Sequence, residues 1–174
     1  MKFYSGFSLK NEQHFFDAYI NPSKYTVCGF SYGAIKAFRY VKEQLDLGKR
    51  VDTLQLLSPA FFGTKDEKFK KLQLIGYRKS RELYLNEFIK SCFLPYKEKK
   101  AEHNNKDGIE ELEELLYYEW NVEELQYLAK NGVKIEVYLG GEDKIIDVGG
   151  AREFFLQVAT VTYIKNANHF LSTN

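Results

Sequence analysis

Histidine, cysteine and long apolar runs are what this chain has least of. Its three histidines limit imidazole chemistry to His14, His103 or His169. Its two cysteines, Cys28 and Cys92, form no CxxC or metal-ligand pattern. Two well-separated thiols suit a reducing cytoplasm. No run of about 18 apolar residues occurs, so neither a transmembrane helix nor membrane insertion is expected. The start, Met1-Lys2-Phe3-Tyr4-Ser5-Gly6, carries none of the marks of a secretory signal, and the expectation is a cytoplasmic protein. Excess charge is also missing: the net is +1, which gives no general basic character and no reason to expect a nucleic-acid partner. Arginine is scarce, at five against twenty lysines. What is present is 44% apolar and 16% aromatic sequence in 174 residues, enough for a single domain that buries a sheet between helices.

One octapeptide stands out. Val27-Cys28-Gly29-Phe30-Ser31-Tyr32-Gly33-Ala34 reads as a strand end running into G-x-S-x-G and directly into a helix. Tyr25, Thr26 and Val27 are strand formers, and residues 34–41 carry apolar side chains at helical spacing. A serine between two glycines at such a junction sits on a strained turn. Its Oγ is pushed outward, where a base and a substrate reach it. The segment resembles the nucleophile elbow of the α/β-hydrolases. The plain alternative is a serine that merely caps the helix.

In that fold the triad acid and then the histidine follow the serine in the chain. Residues 133–140 alternate as a strand and end in Gly140-Gly141-Glu142-Asp143-Lys144-Ile145-Ile146-Asp147, which resembles the superfamily's G-x-x-D loop. Asp143 aligns with the motif; Asp147, four residues on, is its competitor. A turn residue bonding its own backbone is the bland reading of either. After a helix at 149–158 and a strand at 161–164 comes Asn166-Ala167-Asn168-His169-Phe170. A histidine just past the last strand is where such enzymes place their base. The implied chemistry is attack by Ser31, proton transfer to His169, and fixing of the imidazole tautomer by Asp143.

The oxyanion that forms needs backbone donors. One is the N–H of Tyr32, the residue after the nucleophile. The other is expected in the loop Ser5-Gly6-Phe7-Ser8, which resembles the His-Gly-x-x element with Ser5 replacing the histidine. The Phe7 N–H is the candidate. No cofactor or metal is called for.

Five parallel strands are expected, at 2–4, 24–28, 52–57, 133–139 and 160–164, alternating with helices, the first of them at 15–20. The fold class is α/β, a minimal α/β-hydrolase that begins at the third strand of the full-size fold. No strand is expected between about 63 and 128. Phe69-Leu72-Ile75, Leu83-Leu85-Phe88-Ile89 and Leu112-Leu115-Leu116 lie there at helical spacing. An insertion at that point is placed to form a lid beside the active site. Its charge is lopsided: twelve bases face six acids from Gly63 to Lys106, a net of +6, whereas eight acids and no base fill Asp107–Glu124. A basic lid suits an acidic partner steered by its field; a solvated helix face is the alternative.

Taken with the short length, Gly29-Phe30-Ser31-Tyr32-Gly33-Ala34, Leu57-Ser58-Pro59-Ala60-Phe61-Phe62 and Asn168-His169-Phe170 resemble the pimeloyl-ACP methyl ester esterases. The likeness is strongest to their compact, BioV-like type of Helicobacter-type bacteria, a counterpart of the larger BioH. The resemblance implies a role in biotin synthesis, with acyl carrier protein (ACP) as partner. Arg78, Lys79 and Arg81, a tight basic cluster in an expected lid helix, are then the candidate carrier contacts, with Arg78 and Arg81 on one face. Two rivals are a generalist carboxylesterase or thioesterase and a non-catalytic hydrolase-fold binding module.

Overall fold

Strand-forming sequence near both ends of the chain meets in one sheet in the computed structural model, which describes residues 1–174. Strand β1 (Lys2–Tyr4) is followed by a two-residue strand β2 (Leu9–Lys10), a 3-10 turn (Glu12–Phe16) and β3 (Thr26–Phe30). Helix α1 (Tyr32–Asp46) leads to β4 (Thr53–Leu57). Then come α2 (Glu67–Lys79), α3 (Arg81–Phe93), a short β5 (Glu102–His103), α4 (Ile109–Tyr117) and α5 (Val122–Lys130). The chain closes with β6 (Lys134–Gly140), α6 (Val148–Phe155) and β7 (Thr160–Ile164). The five long strands pair in the order β1-β3-β4-β6-β7, all parallel. No helix is long and apolar enough to cross a membrane.

After β3 the chain steps across the sheet in one direction, and right-handed crossovers then put α1, α5 and α6 on the same face. Val27, Leu54, Leu56, Ile135, Val137 and Leu139 point to that face and join a core of 30 buried residues with Ile35, Phe38, Leu125 and Phe155. Each fully buried side chain of this size is worth about 1.5–3 kcal/mol.

The other face is thinner. Cys28, Phe30 and Leu57 pack there in a core of 10 residues with Phe16, Ile89, Phe93, Phe170 and Leu171. Phe170 is its centre, with ring centroids 4.4 Å from Phe93, 4.8 Å from Phe15 and 5.1 Å from Phe30. Lower on this face the side chains turn polar: Gln55 Nε2 donates to the Tyr19 carbonyl at 3.0 Å and to Glu136 at 2.9 Å.

The expected strands are present, with β3 running two residues further, up to the elbow itself. The helix expected at 15–20 is instead the 3-10 turn at 12–16. Within 63–128 two features differ from expectation. The pair β2–β5 forms a small antiparallel ribbon between the insertion and the loop after β1, and α5 returns to the sheet face, packing on α1 and β6. The insertion's own helices are therefore α2, α3 and α4. Asp66 caps α2 by accepting the Phe69 N–H at 2.8 Å, while Ser80 both ends α2 and caps α3. Two of the three residues that announce α2 face outward: Leu72 and Ile75 are 54% and 57% exposed, whereas Phe69 is half-buried against Phe62, and Leu74 and Tyr77 are buried.

Candidate active site

The elbow forms for steric reasons. A Cβ on Gly29 would lie 2.2 Å from the Gly33 carbonyl oxygen, and one on Gly33 would lie 2.0 Å from the Tyr4 carbonyl oxygen. Only glycine lets the strand, the helix and the β1 edge approach so closely. Between them Ser31 is held at φ 53°, ψ −117°, a strained backbone for a residue with a side chain. Ser31 occupies the cap position of α1, yet its Oγ makes no capping bond. Instead it lies 3.0 Å from His169 Nε2.

His169 Nδ1 lies 2.6 Å from Asp143 Oδ2. A carboxylate only accepts, so Nδ1 carries the proton and Nε2 offers its lone pair to the serine hydroxyl. The second oxygen of Asp143 accepts the Ile145 N–H at 2.7 Å and the Ile146 N–H at 3.3 Å, which fixes the carboxylate from behind. All three residues are buried: Ser31 is 5% exposed, Asp143 7% and His169 1%. Asn168 holds the histidine turn, donating to the Phe93 carbonyl at 3.0 Å and accepting the Ser172 N–H at 3.1 Å.

The competitor is placed elsewhere. Asp147 caps α6 through the Gly150 N–H at 3.1 Å and accepts the Thr64 hydroxyl at 2.7 Å. The Thr64 hydrogen bond first, and then the Gly150 N–H, hold its carboxyl below the usual carboxylate range. His14 and His103 are exposed and lie in the 3-10 turn and β5.

Neither the Tyr32 N–H nor the Phe7 N–H finds an acceptor within the chain. Their neighbours do: the Gly6 N–H goes to Glu12 Oε1 at 2.8 Å and the Ser8 N–H to Asp107 Oδ2 at 2.7 Å. Glu12 and Asp107 escape a sequence reading because each grips a backbone amide, which has no residue signature. Beside this loop opens a cavity of about 260 Å³. Its wall is mostly apolar, with Phe7, Phe88, Leu112, Leu116 and Ile145 prominent and Lys144 at the side of the acid loop.

The lopsided charge of residues 63–124 resolves into two surfaces. The acidic stretch meets a basic stripe on α1: Asp107 faces Lys36 at 3.8 Å, Glu114 pairs with Arg39, and Glu124 pairs with Lys42. Burial opposes ionisation of Glu114, but hydrogen bonds from Tyr32 and Arg39 outweigh it and hold the carboxyl below its ordinary value. None of the twelve cations from Gly63 to Lys106 takes part in a salt bridge.

The expected basic cluster is split by the helix break at Ser80. Arg78 and Lys79 are exposed at the end of α2. Arg81 starts α3, so Arg78 and Arg81 do not share a helix face. The Arg81 guanidinium turns inward, with Nε 2.8 Å from the Tyr77 hydroxyl and a second donor 3.4 Å from the Asp107 carbonyl.

No protein-family model matches the sequence, and no curated protein matches it. Solved structures do resemble the chain. Naproxen esterase (carboxylesterase NP) from Bacillus subtilis superposes with a TM-score of 0.56 at 18% identity, over 85% of this chain and 54% of that one. BioG from Haemophilus influenzae gives 0.58 at 11% identity, over 97% and 87%. E-2-(Acetamidomethylene)succinate hydrolase gives 0.58 at 11%, over 97% and 84%. The fold is that of the α/β-hydrolases. This chain spans about half the length of the Bacillus carboxylesterase, 54%, and most of the length of BioG, 87%.

Proposed function

We propose that this α/β-hydrolase chain is a serine carboxylesterase acting on the methyl ester of a carrier-bound pimeloyl group, giving pimeloyl-ACP and methanol for biotin synthesis. The observation that carries the hydrolytic reading is the hydrogen-bonded line from Ser31 Oγ through His169 to Asp143. In this reading Ser31 Oγ attacks the ester carbonyl as His169 Nε2 takes its proton, and Asp143 stabilises the imidazolium. The free N–H groups of Tyr32 and Phe7 receive the oxyanion. His169 then protonates the departing methoxide, and a water activated by the same imidazole releases the acid.

Two further features favour this substrate. The apolar cavity next to Phe7 suits an aliphatic chain. The exposed face of α2 sets Leu72 and Ile75 among Lys68, Lys71, Arg78 and Lys79, all exposed. An apolar centre ringed by unpaired cations complements an acidic, amphipathic helix of a carrier protein.

The deciding experiment incubates purified protein with pimeloyl-ACP methyl ester and follows loss of the methyl group by mass. Competition with the free methyl ester separates the carrier-specific enzyme from a generalist. Hydrolysis of the free ester with equal efficiency leaves a generalist carboxylesterase. Absence of any ester turnover, p-nitrophenyl esters included, leaves a binding module.

A further inference from the structure

Of the three consecutive amides at Gly6, Phe7 and Ser8, the outer two are each gripped by a buried carboxylate. Glu12 is 1% exposed and Asp107 9%. Glu12 stands six residues from Gly6, but Asp107 comes from the insertion, 99 residues from Ser8. Ser8 is fully buried and held at φ 54°, a backbone that surrounding contacts must impose. The same stretch of the insertion ties down the other side of Ser8: the Asn104 N–H donates to the Ser8 carbonyl at 2.7 Å, and β5 pairs with β2. The insertion reaches the second donor as well. Glu114 accepts the Tyr32 hydroxyl, and Lys36 lies 4.2 Å from the Tyr32 ring while facing Asp107.

We propose that the insertion assembles the oxyanion hole. Docked, residues 102–107 and Glu12 hold the Phe7 loop so that its one free amide serves the developing oxyanion. Asp107 is then a positioning residue, acting through Ser8 and Phe7 without touching substrate. The inference rests on the esterase reading above. It makes the lid part of the catalytic machinery and not only a wall of the pocket: substrate hydrolysis requires a seated lid.

A hole that binds charge only in the transition state affects kcat and spares KM. The test uses the full chain with p-nitrophenyl acetate as substrate and butylboronic acid as probe. Ser31 Oγ bonds to the boron, the serine proton passes to His169, and a boron-bound hydroxyl of the resulting anion occupies the hole. Asp107→Ala is expected to lower kcat about 10- to 100-fold, less than outright loss of a donor. KM should stay near the wild-type value, and boronate affinity should fall by the same factor as kcat. Asp107→Asn keeps a carbonyl acceptor for Ser8 and should recover most of both.

Unchanged kcat in folded Asp107→Ala overturns the inference, as does a raised KM with kcat retained. Asp107→Asn as impaired as Asp107→Ala overturns it too. Should Asp107→Ala fail to fold, Lys36→Met removes the cation that faces Asp107 and lies over the Tyr32 ring, and should give a smaller loss with the same signature; no loss there overturns the proposal. Wild-type protein that hydrolyses no ester sinks the esterase reading and this inference with it. An active wild type with an indifferent Asp107→Ala sinks this inference alone.

Discussion

Two aspartates four residues apart share one loop, and their hydrogen bonds give them different work. Asp143 spends one oxygen on His169 and the other on two backbone amides, whereas Asp147 spends both on a helix end and Thr64. Ser31→Ala should therefore cost roughly 10⁴-fold in turnover, and Asp143→Asn about 10³- to 10⁴-fold through the wrong imidazole tautomer. Asp147→Ala should leave turnover near wild type and cost about 1 kcal/mol of stability for the lost cap. Steady-state kinetics with a short ester and a denaturant titration on each variant check the ranking, and equal kinetic losses at 143 and 147 would refute it.

Glu12 offers a second residue-level test. Burial raises its pKa above the ordinary 4.5, partly offset by the backbone N–H groups it accepts. Between 4.5 and that raised value the folded state keeps a proton that the unfolded state has lost. Stability is then lost as pH rises through this window, and above it the burial cost stands in full. Glu12→Gln keeps an acceptor for Gly6 without the charge. It should melt higher than wild type near neutral pH, and the gap should close on acidification. A gap that widens instead would show the carboxylate to be the stabilising form.

At the level of elements, α2 and α1 carry opposite assignments for similar charges. The cations of α1 are matched by acids of the insertion and of α5, whereas those of α2 form no salt bridge with any acid of the chain. Reversal of Lys71 and Arg78, seven residues apart on the outward face, should raise KM for the carrier-bound ester several-fold. Turnover of a small free ester should hardly change, and added salt should mimic the reversal on the wild type. Equal damage to both substrates would make the face structural. Arg81→Glu should behave differently, because its guanidinium bonds to Tyr77 and Asp107; it should depress both substrates together.

Across the molecule, legibility followed the kind of signal. The five strands could be read because their β-branched and aromatic residues sit in short runs between turn residues. That Ser31, Asp143 and His169 come together could be read because local motifs carry them in a fixed chain order. The grips on Gly6 and Ser8 could not, since their acceptors bond to backbone and one lies 99 residues away. The helices of the insertion were legible as helices but not in orientation: periodicity at Leu72 and Ile75 says that a stripe exists, not that it faces the core. Helix α5 looked like more insertion because nothing in its sequence distinguishes packing on a lid from packing on α1.

His169 rides on a turn whose next residue, Phe170, is the centre of the smaller core. The proposed general base is thus wired to the smaller hydrophobic core. A folded yet idle form, with the turn swung away, would have to leave Phe15, Phe30 and Phe93 uncovered. Under the proposed function, turnover becomes a thermometer for this core: on heating, ester turnover and the near-UV circular dichroism of the packed aromatic side chains should be lost in one transition. Activity lost well below the unfolding midpoint would mean that the turn detaches on its own.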